Sequence, residues 1–399
     1  MADTATIERD LRLDLFRGIG LWVIFLDHIP FNVASWITIR NYGFSDAAEM
    51  FVFISGYTAG FVYGPAMVEG RSAAASSIVA AGRLLKRSWQ LYVTHVLLVV
   101  LFIAEIAYVG GKFDNPLFAE EFNVFDFLRH PDIILTQAMV LKFRPSGMDV
   151  LPLYIALVLA CPAILWALVR RPNSTLIGAA ILYLLARKFD WNLPSFPAGQ
   201  WFFNPFAWQL LFVFGAWCAL GGAEKLQPLT YSPITRSAAA IFLMFAFLIV
   251  MTWHVPQWGH FVPKWLASIM YPIDKSNLHA LRLIHFLALA VMTVPLVPRD
   301  WRFLRRPVLQ PLILCGQHSL ALFCFGVFLS FVGHLILVEI SNTIPVQLLV
   351  SAVGLVLMTM AAWLMTWYDT TEAGRPGLGD FAVHETAGTP SDSLFPSPS

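Results

Sequence analysis

Residues 17 to 64 read RGIGLWVIFLDHIPFNVASWITIRNYGFSDAAEMFVFISGYTAGFVYG. They form two apolar segments that carry more ionisable chemistry than a lipid-facing helix readily holds. On a helix beginning near Phe16, the eleven-residue step from Arg17 to His28 brings the two within about 20° of one face and sets them roughly 16 Å apart along the axis. That rise is about half of a ~30 Å hydrocarbon core, so a cation at one surface stands beneath an imidazole near mid-bilayer. A charged group at that depth costs at least ~2.5 kcal/mol and is normally set against protein or water for a purpose. In the second segment Asp46, Glu49, Phe53, Gly56 and Gly60 recur at helical spacing. The stripe has an acidic outer end and a row of glycines, Gly56, Gly60 and Gly64, that allows two helix backbones to approach closely. Run antiparallel, the second segment brings Glu49 to His28, with Ser55 about a turn deeper. Asp27 points some 100° away from its neighbour His28 and is the weaker partner.

Working outward, the 399 residues are 58% hydrophobic and 13% charged, with a mean hydropathy of +0.67. Those values exclude an ordinary soluble domain. The formal net charge of +1 carries no nucleic-acid footprint. Ten spans are predicted, near residues 15 to 36, 45 to 65, 88 to 109, 148 to 169, 174 to 190, 205 to 222, 234 to 253, 278 to 297, 310 to 338 and 345 to 367. The expected fold is therefore an all-α polytopic transmembrane bundle, with residues 1 to 368 as one domain and 369 to 399 as a disordered cytoplasmic tail rich in Gly, Pro, Ser and Thr. With the N-terminus inside, the short inner loops collect most of the Lys and Arg, including Arg9, Arg12, Arg71, Arg170, Arg171, Lys225, Arg236, the arginines at 299, 302, 305 and 306, and Arg375. Both termini are thus expected in the cytoplasm. Asp27 and His28 interrupt the first apolar stretch, so it is not expected to be a cleaved signal. Cys161, Cys218, Cys315 and Cys324 lie in apolar segments without metal or haem spacing and read as buried small side chains.

Several clusters carry candidate chemistry beside a plainer role. Arg83, Lys86 and Arg87 precede the third span, with His95 two turns inside it; they suit a positive-inside flank, or with Arg17 a phosphate site for a carrier with a long thin arm, such as coenzyme A. A neutral His28, held in place by Glu49 and given space by the helix-breaking Pro30, suits a general base that takes the proton of a hydroxyl attacking an acyl thioester. Ser55 suits an oxyanion donor or packing filler. Asp46, Arg282 and His285 suit an outward acceptor cleft or a structural ion pair. His318, in Gly316-Gln317-His318-Ser319, is placed on the carrier shaft, whereas His334 lacks an evident partner. Asp149 with Tyr154, and Asn204 with Gln209, put polar groups at outer helix ends, where capping serves equally well. Tryptophans of the outer loops, among them Trp191, Trp201, Trp258 and Trp265, fit an interfacial belt or a sugar platform.

The arginine, ten residues, histidine pattern at 17 and 28, and Phe-Val-Phe-Ile-Ser-Gly at 51 to 56, resemble the membrane acyltransferase-3 superfamily. RLDLFRGIGLWVIFLDHIP, NYGFSDAAEMFVFISGY, DVLPLYIALVL, NPFAWQLLFVFGAW, LHALRLIHFLALA and CGQHSLALFCFGV together resemble its OpgC type, named for succinylation of osmoregulated periplasmic glucans. The resemblance implies a ten-helix enzyme of the bacterial inner membrane, with Arg17, His28, Ser55 and Gly56 as motif positions. It implies acyl transfer from a cytoplasmic acyl-CoA, succinyl-CoA for a true glucan succinyltransferase, to a hydroxyl of a periplasmic saccharide. No tightly bound cofactor and no metal are expected. The rival from another class is a proton-coupled transporter or flippase relaying protons through Glu49, His28 and His95, although interrupted-helix pairs and internal symmetry are not apparent. A haem or metal protein using His28, His95 and His318 fits less well, because those residues fall at uneven depths.

Overall fold

The computed structural model describes residues 10–67, 73–115, 117–122, 124–299 and 301–373. Among them the secondary structure is helical, with one isolated bridge between Pro194 and Gln200 in place of any sheet. Helices lie on all ten predicted segments: α1 Leu11–His28, α2 Ala47–Tyr63, α3 Ala73–Phe113, α4 Val150–Arg170, α5 Pro172–Phe189, α6 Pro205–Trp217, α7 Pro233–His254, α8 Ala280–Thr293, a broken pair α9 Gln310–Gln317 and α10 Ser319–Glu339, and α11 Ile344–Ala373. Among the described residues six stretches are long and apolar enough to cross a bilayer, within α3, α4, α6 with its continuation to Thr230, α7, α10 and α11; Ala280–Leu296 is a shorter apolar helix. The tail expected from residue 369 is helical as far as Ala373. Residues 374–399, with Arg375, lie outside the described residues, as do Arg9 and Arg71.

The third helix begins at Ala73, well before the expected residue 88, so Arg83, Lys86 and Arg87 lie within it; two other boundaries differ from the sequence reading for a backbone reason. The first helix was expected to continue to residue 36 but stops at His28, because Pro30 disfavours helical geometry at the residue before it and Ile29 is extended, with φ −87° and ψ 107°. The span expected at 310 to 338 breaks at His318, with φ −106° and ψ 36°. At the start of α1, Asp10 caps the backbone N–H of Arg12 at 3.1 Å. Burial would raise the Asp10 carboxyl, but the Arg12 guanidinium and the Arg12 backbone N–H hold it below its ordinary value.

Glycine decides which helices touch. A Cβ on Gly56 would land on the carbonyl of Phe212 in α6, and one on Gly215 of α6 would land on the Phe53 carbonyl of α2. The reciprocal pair presses α2 and α6 together backbone to backbone, so the glycine row of α2 serves α6 and not α1. Gly18 of α1 and Gly316 of α9 form a second such pair, against the backbones of Leu312 and Asp14. With those backbones in contact, α1 and α2 meet through side chains, Gly20 facing Phe51 and Met50. Room for a cavity is left between α1, α2, α3 and α4. The four cysteines are free thiols, three of them buried and Cys324 half-buried.

Candidate active site

A cavity of about 1060 Å³ runs the length of the α1–α2 pair. One end is lined by Arg17, Thr58, Tyr63 and Arg87, with Ser55 and Tyr154 next along the wall; the other end is lined by His28, Asp46, Lys275 and Arg282. Arg17 is fixed there by α2, donating from Nη2 to Thr58 Oγ1 at 2.6 Å, with Asp14 3.8 Å from Nη1. Thr58 in turn donates to the Ile54 carbonyl at 2.8 Å, which turns its lone pairs toward the guanidinium.

His28 is the last residue of α1. Its Nδ1 lies 2.7 Å from the Ile24 carbonyl oxygen. A carbonyl only accepts, so Nδ1 carries the proton, and in the neutral ring Nε2 keeps a lone pair. Nε2 has no protein partner among the described residues. The loop before α4 closes on this edge of the ring: Gly147 has φ +87°, and a Cβ there would sit 2.8 Å from His28 Cδ2 and 3.3 Å from Nε2. Positive φ and close approach both demand glycine. Farther along the cavity toward Arg17, Tyr154 Oη is buried next to Ser55, with no hydrogen bond completed among the described residues.

Glu49 does not hold His28. It belongs to a capping box, Oε2 accepting from the Asp46 N–H at 2.9 Å while Asp46 Oδ1 accepts from the Ala48 N–H at 2.9 Å. Its other oxygen accepts from Arg282 Nε at 2.7 Å, with Arg282 Nη2 also 2.7 Å away. Arg282 Nη2 reaches Asp46 Oδ2 at 3.0 Å, and Lys275 Nζ reaches the same oxygen at 2.6 Å. Two carboxylates and two cations thus clamp the start of α2 to α8 and the loop before it. The acidic and basic residues read as an acceptor cleft are the ion-pair alternative, although Asp46, Lys275 and Arg282 also present a surface to the cavity. The orienting role expected of Glu49 falls to the Ile24 carbonyl, because ending α1 at His28 leaves the imidazole free to fold back along its own helix.

Most of the other expected residues lie away from the cavity. His285 Nδ1 accepts from the Ser45 N–H at 3.3 Å and lies 2.7 Å from Ser45 Oγ, holding the loop whose Gly43 packs on its ring. His318 Nε2 bonds Thr366 Oγ1 at 2.8 Å; Thr366 spends its own proton on the Ala362 carbonyl. That tie to α11 replaces the shaft-lining role, which passes to the flanking Gln317 and Ser319. His95 is fully buried on α3, with neither ring nitrogen partnered among the described residues. Of the basic trio on α3, Arg87 lines the cavity and Arg83 and Lys86 face outward. His334, expected to lack a partner, lies 2.7 Å from Glu121. Asp149 takes Arg144 Nε at 3.0 Å in place of capping α4, whereas Asn204 does cap α6, accepting from the Phe206 N–H at 3.0 Å. Among the described residues no three His, Cys, Asp or Glu side chains converge in a way that would hold a metal ion.

The sequence reading missed Gly147 and Thr58. A Ser-Gly dipeptide marks the first as a turn, but nothing local says which side chain that turn touches. Thr58 lies one turn beyond Ser55 on the same face, and its pairing with Arg17 was open to reading from the antiparallel register. The family model described as OpgC protein matches residues 9–370. No curated protein and no solved structure matches the chain.

Proposed function

The chain belongs to the OpgC family, and from that premise we propose that it is an inner-membrane O-acyltransferase that moves an acyl group, succinyl for a glucan succinyltransferase, from cytoplasmic acyl-CoA to a saccharide hydroxyl in the periplasm. The observation that carries this reading is the single cavity that joins a basic end at Arg17 and Arg87 to His28 Nε2. A phosphate-bearing carrier fits the basic end, where guanidinium groups bind phosphate oxygens in pairs. Its thin arm then passes Thr58, Ser55 and Tyr154 and delivers the thioester to His28. Positive-inside loops turn that end to the cytoplasm.

His28 Nε2 takes the proton of the acceptor hydroxyl as its oxygen attacks the thioester carbonyl. The Ile24 carbonyl, bonded to Nδ1, fixes the ring and favours the cation formed in this step. The carbonyl oxygen becomes an oxyanion, a charge that preorganised donors on the cavity wall beside His28 stabilise. The intermediate collapses with cleavage of the carbon–sulfur bond, and the departing thiolate takes the proton back from Nε2. The products are a saccharide ester and a free thiol, with the imidazole restored.

The test is release of coenzyme A by the purified protein in lipid nanodiscs, from succinyl-CoA with a glucan oligosaccharide, with the ester detected by mass spectrometry. His28→Asn, which keeps one amide near Ile24 and loses the base, is expected to lower the rate by about 10²–10⁴-fold at unchanged melting temperature. Turnover by that variant at the parent rate refutes the reading.

A further inference from the structure

A second hollow, of about 310 Å³, abuts the main cavity. The two share Ser146, Asp149 and Phe202 as a common wall, and Gly147, between the first two, is the residue pressed on the imidazole edge. The hollow is therefore a side mouth beside Nε2. Its remaining walls include Asn192, Gln200, Trp201 and Ser276.

The chemistry of these walls is selective. The one guanidinium, Arg144, is already used: Nε donates to Asp149, Nη1 donates to the Leu141 carbonyl at 2.8 Å, and the group lies 5.3 Å over Trp201. With its charge met by Asp149, the mouth offers little to a phosphate. Among the described residues, Ser146 Oγ, Ser276 Oγ, Asp149 Oδ2 and Gln200 Oε1 are left without a partner, beside the ring of Phe202, 43% accessible with the Lys275 ammonium 5.9 Å from its centroid. Hydroxyls that donate and accept, oxygens that only accept, and a partly exposed aromatic ring suit a neutral polyhydroxylated ring with one C–H face. A third hollow, which also meets the main cavity at Pro30, Arg40 and Glu121, is different. Its Asn32 and Gln347 are already hydrogen-bonded, to Ser351 and to the Val33 N–H, and its rim is the exposed Phe31, Trp36 and Ile344.

We infer that the side mouth bounded by Ser146, Asp149, Gln200, Phe202 and Ser276 is the acceptor subsite, and that it takes an uncharged saccharide segment and presents one hydroxyl to His28 Nε2. The inference rests on the acyltransferase reading, and the experiment separates the two. Nanodisc-embedded protein is assayed with acyl-CoA alone, which reports hydrolysis to water, and with a neutral glucan oligosaccharide, which reports transfer. Ser276→Trp, which fills the mouth, is expected to raise the saccharide KM by about tenfold or more, and Gln200→Ala by about threefold. The acyl-CoA KM and the hydrolysis rate stay within about twofold for both, as uniform loss of acceptor binding requires. Ser35→Trp, which fills the third hollow, leaves the saccharide KM unchanged. An unchanged saccharide KM in Ser276→Trp, or a raised one in Ser35→Trp, overturns the assignment. If Ser276→Trp also loses hydrolysis, Gln200→Ala decides, and an unchanged saccharide KM there overturns it. A wild-type protein that consumes no acyl-CoA under either condition refutes the acyltransferase reading, and the subsite falls with it.

Discussion

Gly147→Ala places one methyl group where the structure has no room for it. The residue holds φ +87°, a conformation that costs an L side chain about 1–2 kcal/mol. The new Cβ would lie 2.8 Å from His28 Cδ2, against an ordinary contact of at least 3.4 Å, so the ring must withdraw by 0.6 Å or the loop must open by as much. A 1 Å misplacement of a reacting group costs on the order of 10²-fold in rate, so a shift of this size is expected to lower turnover by about 10- to 100-fold. Stability should fall by only the backbone cost, about 1–2 kcal/mol. Initial rates of coenzyme A release with saccharide present, and a thermal melt of the same preparation, measure the two effects separately. In a His28→Ala background the methyl has no ring to displace, so adding Gly147→Ala should lower the residual rate by less than about twofold, the non-additivity expected of groups in contact. Gly147→Ala protein that turns over at the parent rate, or that loses as much rate without His28 as with it, would refute the claim that this loop seats the imidazole.

Two further outcomes test the frame around the site. Glu49→Ala leaves the buried Arg282 with Asp46 alone and should destabilise the protein by about 3–5 kcal/mol, read as a lowered melting temperature in detergent; an unchanged melt would show that the clamp between α2 and α8 contributes nothing. Gly56→Leu should prevent α2 from seating on the Phe212 backbone and abolish recovery of monodisperse protein, whereas Gly82→Ala on α3, where a Cβ meets nothing within 4 Å, should melt at or above the parent temperature.

The two segments opened at Arg17 disclosed much of the arrangement. Their polar residues were too costly for lipid, and the structure does set Arg17, His28 and Ser55 around one cavity. The long apolar runs located the long helices, because hydropathy over some twenty residues is a local property. The capping box at Asp46 and Glu49 was open to local reading too, since an acidic residue followed three positions later by Glu is its signature; the long-range reading of Glu49 as partner of His28 displaced it.

What failed were statements about contact across the chain. Helical spacing places Glu49 and His28 on facing stripes, but it does not say that Arg282, more than two hundred residues away, takes the carboxylate first. His318 and His95 lie on apolar helices that a periodicity argument turns either way, and only packing against α11 and within α3 turned them from the cavity. Composition, helix positions and the motif at 17 and 28 follow from the sequence by itself, because hydropathy and backbone sterics act over a few turns. The tautomer of His28, the close fit of Gly147, the pairing of α2 with α6 and the side mouth were decided by the tertiary structure, because each depends on which distant backbone or charge fills a space first.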